Sequence, residues 1–323
     1  MASVVIGLGT NVGDRFDNLV RALTLLRAHV GVLSAVSRIY RTAPVGYTQQ
    51  PDFWNAVAIM DTTLTPMQVF RRAQAIEVEV GRVRTFSGGP RVIDLDVILY
   101  DDVVALSPPG FGAPVPAGFA ATADDYLAWL VAELEHIEEP IDLVGHDWGG
   151  GHVQRVAATR PDLIRSWCSD IAGCADPDYV WHDLAQVWQT PGDGEAFVEA
   201  MNSMPLDDRV AGFVDAGMTP DAARACAAAA GPEMGRCTLA LYRSAAQPAM
   251  TEWGRELEQA ERRPGLVVIA TADQYTGGEV LARRSAERFG AEIALLEGLG
   301  HWWMLQDPGR GAEALRGFLD SLD

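Results

Sequence analysis

Residues 4 to 9 (Val-Val-Ile-Gly-Leu-Gly) form an apolar run of strand length. Asn11-Val12-Gly13-Asp14 then turns the chain into a segment where Phe16, Leu19, Val20, Leu23 and Leu26 recur at helical spacing. Residues 32 to 41 and 53 to 61 read as strands. Pro66 opens a second helix with Met67, Phe70, Ala73 and Ile76 facing inward, and Val92 to Tyr100 is a last strand. The order βαββαβ predicts an α+β, ferredoxin-like layer of helices on a sheet. On the last strand Asp94 and Asp96 alternate with Leu95 and Val97, so period-two geometry sets both carboxylates on one face. Such a pair reads either as a solvated face or as a magnesium site that relies on substrate phosphates for its other ligands.

Beyond Val103 the pattern changes. A strand runs into Ser107-Pro108-Pro109-Gly110-Phe111-Gly112, a helix spans Ala123 to about His136, and Ile141-Asp142-Leu143-Val144 is a second strand. It leads into Gly145-His146-Asp147-Trp148-Gly149-Gly150 and then a helix, the strand, sharp turn and helix of a nucleophile elbow with Asp in place of Ser. The glycines permit the turn, and a carboxylate lifted there can attack carbon. Leu266 to Ala270 is a buried strand ending at Asp273, and Ala291 to Leu296 leads to His301. Nucleophile, acid and base therefore follow successive strands in the expected order. Residues 172 to 255 interrupt the strands with helix formers and aromatics, as a cap over a pocket does.

Charge divides the chain at the same place. Residues 1 to 104 hold 10 Arg and 10 Asp or Glu, and the remaining 219 hold 15 Arg against 34 acids, so the net charge of −19 belongs to the second part. Lys is absent throughout. This balance offers no basic stripe, which argues against nucleic acid or an anionic membrane as partner and leaves small molecules. The apolar runs fall short of the ~18 to 20 residues of a membrane span, and the N-terminus lacks the basic flank of a signal peptide, so a cytoplasmic protein is expected. Cys168, Cys174, Cys226 and Cys237 lack metal-ligand spacing and read as reduced thiols.

The string Pro90-Arg91-Val92-Ile93-Asp94-Leu95-Asp96 closely resembles the signature of 6-hydroxymethyl-7,8-dihydropterin pyrophosphokinases of folate biosynthesis. Leu8 to Arg15, Tyr40 to Gly46, Gln50 to Asn55, and Gln74-Ala75-Ile76-Glu77 to Gly81-Arg82 are similar to that family's blocks and stand in its order. The resemblance implies Mg²⁺ and ATP as cofactors, with two Mg²⁺ on Asp94 and Asp96 and phosphates facing Arg82, Arg84 and Arg91. Thr42 and Asn55 would bond the pterin edge, Phe53 would stack on it, and Gln74 and Glu77 would lie beside the nucleotide. The family's further segment, containing His-Pro and a second stacking aromatic, has no counterpart after Tyr100.

Pro109-Gly110-Phe111-Gly112, Gly145-His146-Asp147-Trp148-Gly149-Gly150 and Gly300-His301-Trp302-Trp303 resemble the α/β-hydrolases with an aspartate nucleophile, the epoxide hydrolases and haloalkane dehalogenases. That resemblance implies an alkyl ester on Asp147, water activated by His301, and an imidazole oriented by Asp273. Trp148 would supply a backbone N–H to the oxyanion and an indole N–H near a leaving halide. Tyr242 would be the cap tyrosine that protonates an epoxide oxygen, with Tyr179 a weaker candidate for its partner. No cofactor is implied, and the His-Gly loop that carries the family's second oxyanion donor is absent.

The expectation is a ferredoxin-like domain over 1–102 joined to an α/β-hydrolase-type, mostly parallel sheet over 103–323, each truncated at the junction. The run Val97 to Leu106 is read as one strand that serves both parts. Three functions stay open: pyrophosphoryl transfer to the pterin, hydrolysis of an epoxide or alkyl halide, and a fusion that only binds pterin or nucleotide.

Overall fold

The computed structural model describes residues 1–44, 48–83, 89–101 and 103–322, with the side chain at 67 also outside the description. Arg84 therefore lies outside the described residues, as does the Met67 side chain. Two compact units divide between Ala117 and Gly118.

In the first unit β1 (Ala2–Thr10) leads to α1 (Arg15–His29), β2 (Val32–Val36), β3 (Tyr40–Thr42), β4 (Phe53–Thr62), α2 (Pro66–Val80), β5 (Asp94–Tyr100) and β6 (Val103–Val104). The antiparallel order is β2-β4-β1-β5-β6, with β3 also on β4, as the ferredoxin-like expectation requires. Local chemistry sets the helix starts. Asp14 accepts the amides of Phe16 and Asp17, Thr65 and Gln68 form a reciprocal capping box, and Gly81 ends α2 in the left-handed region at φ 113°.

Helices cover one sheet face. Val4, Ile6 and Leu8 of β1 pack there with Leu19, Leu26, Met60, Val69, Ile76 and Ile93, and Gly7 and Gly9 take the opposite face. Three readings from periodicity are corrected. Phe16, Val20 and Phe70 are exposed, because each helix turns a narrower stripe inward, Leu19, Ala22 and Leu26 in α1 and Val69, Ala73 and Ile76 in α2. The strand expected over 32–41 is two strands, since Ser37 bonds Val57 through its own amide and hydroxyl between them. The run Val97 to Leu106 is a hairpin rather than one strand: β6 returns along β5 with Tyr100 opposite Val103, after Asp101 at φ 51°.

The second unit contains α3 (Ala123–Leu134), β7 (Ile141–Gly145), α4 (Trp148–Thr159), β8 (Ile164–Ser169), a 3-10 turn at Ala172–Ala175, and six helices over 183–259. These are α5 (Asp183–Gln189), α6 (Asp193–Ser203), α7 (Leu206–Asp215), α8 (Pro220–Ala229), α9 (Pro232–Ser244) and α10 (Ala249–Gln259). β9 (Gly265–Ala270), α11 (Gly278–Phe289), β10 (Glu292–Leu296), α12 (Trp303–Gln306) and α13 (Pro308–Asp320) complete it. The sheet is parallel in the order β10-β9-β8-β7. β9 is buried along its whole length, which is why it reads as an unbroken apolar run. Its Val267 and Ile269 share a core with Leu143, Val153, Val156, Ile164, Trp167 and Phe289. No helix among the described residues is long and apolar enough to cross a membrane. Cys168, Cys174 and Cys237 are buried free thiols and Cys226 is exposed.

Candidate functional site

The open face of the first sheet gathers polar groups around β1. Gly9 lies between Asn55 on β4 and Asp94 on β5, and Gly7 lies between Val57 and Asp96. A side chain at Gly9 would crowd this row, because its Cβ would stand 3.1 Å from Asn55 Oδ1. Asn55 Nδ2 donates to Thr42 Oγ1 at 2.8 Å, and Thr42 pairs with Phe53, so β3 brings the three together. The Arg91 guanidinium covers the Phe53 ring at 4.9 Å and reaches Asp94 at 3.1 Å. Asn11 ties this end of the sheet together: it donates to Gln50 Oε1 and Pro51 O and accepts the Arg91 amide.

Arg82 bridges Glu77 of α2, at 2.5 Å, and Asp94 of β5. Asp94 thus shares Arg82 with Glu77 and has Arg91 as a second partner, whereas Glu77 relies on Arg82 in a largely dry place. Burial accordingly pushes Glu77 up to about 7, against the pull of Arg82 and of the Leu95 amide. Asp96, on the open rim, is raised first by partial desolvation and then by the Asp94 charge, with Arg91 and Arg82 opposing. Gln74 is half-buried on α2.

In the second unit the strand ends assemble a triad. Asp147 sits between β7 and α4 at φ 51°, ψ −125°, a strained backbone held by its surroundings. Gly145 is obligatory to this turn, since a Cβ there would fall 2.2 Å from Gly149 O. His301 Nδ1 bonds Asp273 Oδ2 at 2.9 Å, and its Nε2 stands 4.0 Å from Asp147 Oδ1. Burial works against protonation of His301, but the Asp273 hydrogen bond and the charges of Asp147, Asp273 and Asp170 outweigh it and raise its pKa. Trp148 opens α4, where a helix leaves its first amides without internal partners.

Cap and sheet enclose a cavity of about 20 Å³ above Asp147, walled by Trp148, Cys174, Tyr179, Trp181, Tyr242 and Tyr275 among others. That is room for about one water. Tyr242 is held well above the ordinary phenol range by burial and then by Asp147, while a hydrogen bond from the Trp148 side chain opposes this. Tyr179 donates its hydroxyl to Tyr275 O at 2.8 Å.

Residues 5–136 match the family model for 7,8-dihydro-6-hydroxymethylpterin pyrophosphokinase, and residues 84–314 match that of the alpha/beta hydrolase family. A 2-amino-4-hydroxy-6-hydroxymethyldihydropteridine pyrophosphokinase of Porphyromonas gingivalis is 38% identical over 119 residues, 36% of this chain and 81% of that protein. The chain belongs to both families. The Bacillus subtilis pyrophosphokinase is 43% identical over 97 residues, 30% of this chain, which spans only 58% of that relative's length. A haloalkane dehalogenase structure from Bradyrhizobium elkani aligns over 72% of this chain and 81% of its own, at 19% identity and TM-score 0.52, a likeness of fold.

On the pyrophosphokinase unit, Asp94, Asp96, Arg82, Arg91, Glu77, Thr42, Phe53 and Asn55 lie together at one end of the sheet, with Gln74 on the helix beside Glu77. The donor set fits Mg²⁺, which is content with two carboxylates when phosphates complete its shell. In the hydrolase unit, Asp147, Asp273 and His301 meet, and Trp148 and Tyr242 line the cavity together with Asp147. Sequence reasoning missed Asp170. It follows β8, is 6% exposed, and binds both His146 and the Asp147 amide.

Proposed function

We propose that the pyrophosphokinase unit transfers the pyrophosphoryl group of ATP to the hydroxymethyl oxygen of 6-hydroxymethyl-7,8-dihydropterin and releases AMP. The observation that carries this reading is the row Asn55, Gly9, Asp94 across three strands, which sets a pterin-bonding amide beside a carboxylate pair over a glycine. Thr42 and Asn55 hold the pterin edge, and Phe53 offers its face. Pterin stacked on Phe53 releases the Arg91 guanidinium toward phosphate, which guanidinium binds in bidentate fashion. Arg82 anchors Asp94 until phosphate competes for it. Mg²⁺ held by Asp94 and Asp96 would neutralise charge on the transferring phosphates, the main requirement of such a reaction. A cytoplasmic location, where ATP and reduced thiols coexist, goes with this reading. The test is ³¹P NMR of ATP turnover: AMP must form only with pterin present, and AMP formation independent of pterin overturns the assignment.

A second reading rests on the 4.0 Å approach of His301 Nε2 to Asp147 Oδ1 with Asp273 behind it. Asp147 attacks carbon as its bond to the epoxide oxygen or to the departing halide breaks, which forms an ester, and His301 then takes a proton from the water that cleaves it and releases the alcohol. Tyr242, accepting from Trp148, donates its proton to an epoxide oxygen. A His301→Phe variant incubated with styrene oxide should retain the added mass on Asp147. Unmodified protein sinks this reading.

A further inference from the structure

We propose that Asp170 is a positioning residue of the hydrolase-type site, clamping the nucleophile turn and His146 and placing a second negative charge behind His301. The inference rests on the second reading above. Asp170 stands directly after β8, beside the turn that follows β7. Its Oδ1 accepts the Asp147 amide at 2.9 Å. Its Oδ2 meets His146 Nδ1 at 2.5 Å and accepts the Trp303 indole N–H at 2.8 Å.

Three donors on one buried carboxylate form a charge-assisted cluster. They hold Asp170 ionised although burial alone would raise it; the His146 bond, the Trp303 bond and the Asp147 amide outweigh that cost. One of the donors is the amide of the strained nucleophile itself, so the carboxylate fixes the backbone that aims the Asp147 side chain. The His146 ring then lies 4.7 Å from the His301 ring and 5.2 Å from Trp302. Two carboxylate–imidazole pairs thus stand side by side with their rings tilted at 48°, Asp273 with His301 and Asp170 with His146.

The electrostatic consequence falls on His301, which carries a positive charge while it holds the proton of the attacking water. From the β9 end it is faced by Asp273 and the Tyr275 ring, from the β7 turn by Asp147 and His146, from the end of β8 by Asp170, and from the start of α5 by His182. Cys168 and Cys174, whose thiols burial pushes up, add no charge beside Asp170. Asp170 is therefore one of three carboxylates that favour the imidazolium, and its removal takes away that charge while the Asp147 carboxylate and the Asp273 bond to His301 are still present in the chain.

The test is a histidine ¹H NMR titration of the full chain, with His301 identified by its loss in His301→Gln. Asp170→Asn should lower the His301 midpoint by about 1 pH unit, the size of effect that one nearby charge has at an effective dielectric of ~20 to 40. Trp303→Phe loosens the same pocket without removing charge and should leave the midpoint in place. An unmoved midpoint in Asp170→Asn, or an equal shift in Trp303→Phe, overturns the proposal. Should Asp170→Asn fail to fold, the unmodified protein decides. It should show two far-downfield imidazole N–H protons, one lost in His146→Gln and the other in His301→Gln; a single one, lost only in His301→Gln, overturns the proposal. No substrate is needed, so a failure to trap the ester counts against the hydrolase reading separately.

Discussion

Arg82→Gln removes the guanidinium shared by Glu77 and Asp94, and its cost should depend on pH in a calculable way. Glu77 has an ordinary value of 4.5 and stands at about 7 in the fold. A carboxyl raised by folding destabilises the native state as pH climbs: the penalty is absent below 4.5, grows through the interval, and levels off above 7. At 1.36 kcal/mol per unit the plateau is about 3 kcal/mol. Without Arg82, whose charge is the largest influence holding the value down, Glu77 rises further, and each added unit deepens the penalty at high pH by about 1.4 kcal/mol. The variant thus loses roughly 1 to 2 kcal/mol at pH 8 through Glu77, and nothing at pH 5.5, where both proteins keep the proton. Asp94 retains Arg91 at 3.1 Å, and the loss of its other bond adds about 1 kcal/mol at either pH. Urea unfolding followed through the amide signals of Val4, Ile6 and Leu8 reads the first unit alone. Expected losses are about 2 to 3 kcal/mol at pH 8 and about 1 at pH 5.5. Equal losses at the two pH values would refute the shared-charge account.

Gly145→Ala should cost the second unit at least about 3 kcal/mol in thermal unfolding, because the added carbon meets the backbone of Gly149 at 2.2 and 2.3 Å; a melting curve like that of the unmodified chain would contradict the turn geometry. Asp273→Asn should slow hydrolysis of the trapped ester by about 10³- to 10⁴-fold while alkylation of Asp147 proceeds, so the ester should accumulate by mass spectrometry; unchanged hydrolysis would remove Asp273 from its role behind His301. Phe53→Leu should weaken pterin binding about tenfold, one aromatic stack, and leave ATP affinity alone in calorimetry; equal weakening of both would assign Phe53 to the core.

Residues whose role depends on local spacing were legible in the sequence. Asp94 and Asp96 share a strand face because the period is two, and Asp147, Asp273 and His301 were placed after β7, β9 and β10 because apolar runs precede them. Three features were not legible, each for a reason of tertiary structure. Phe16 and Phe70 fit helical spacing yet face solvent, since spacing leaves open where the stripe ends. The reversal after Tyr100 sits in a run whose only break is Asp101-Asp102, and an Asp at positive φ has no strong sequence signal. Asp170 ends Ile164-Arg165-Ser166-Trp167-Cys168-Ser169, a strand with neither alternation nor an unbroken apolar run, so nothing placed its carboxylate beside Asp147. The glycines at 7 and 9 fall inside the expected strand, as they do in the structure; the room that they leave on its open face depends on the neighbouring strands and was not legible.

The central claim is that the first unit is a working pyrophosphokinase, and the most direct measurement is the mass of its product. Protein incubated with Mg²⁺, ATP and 6-hydroxymethyl-7,8-dihydropterin should yield the pterin diphosphate and an equal amount of AMP, and Asp94→Asn with Asp96→Asn should yield neither. Folded protein that binds both substrates and forms no pterin diphosphate would contradict the claim and leave the unit a binding module.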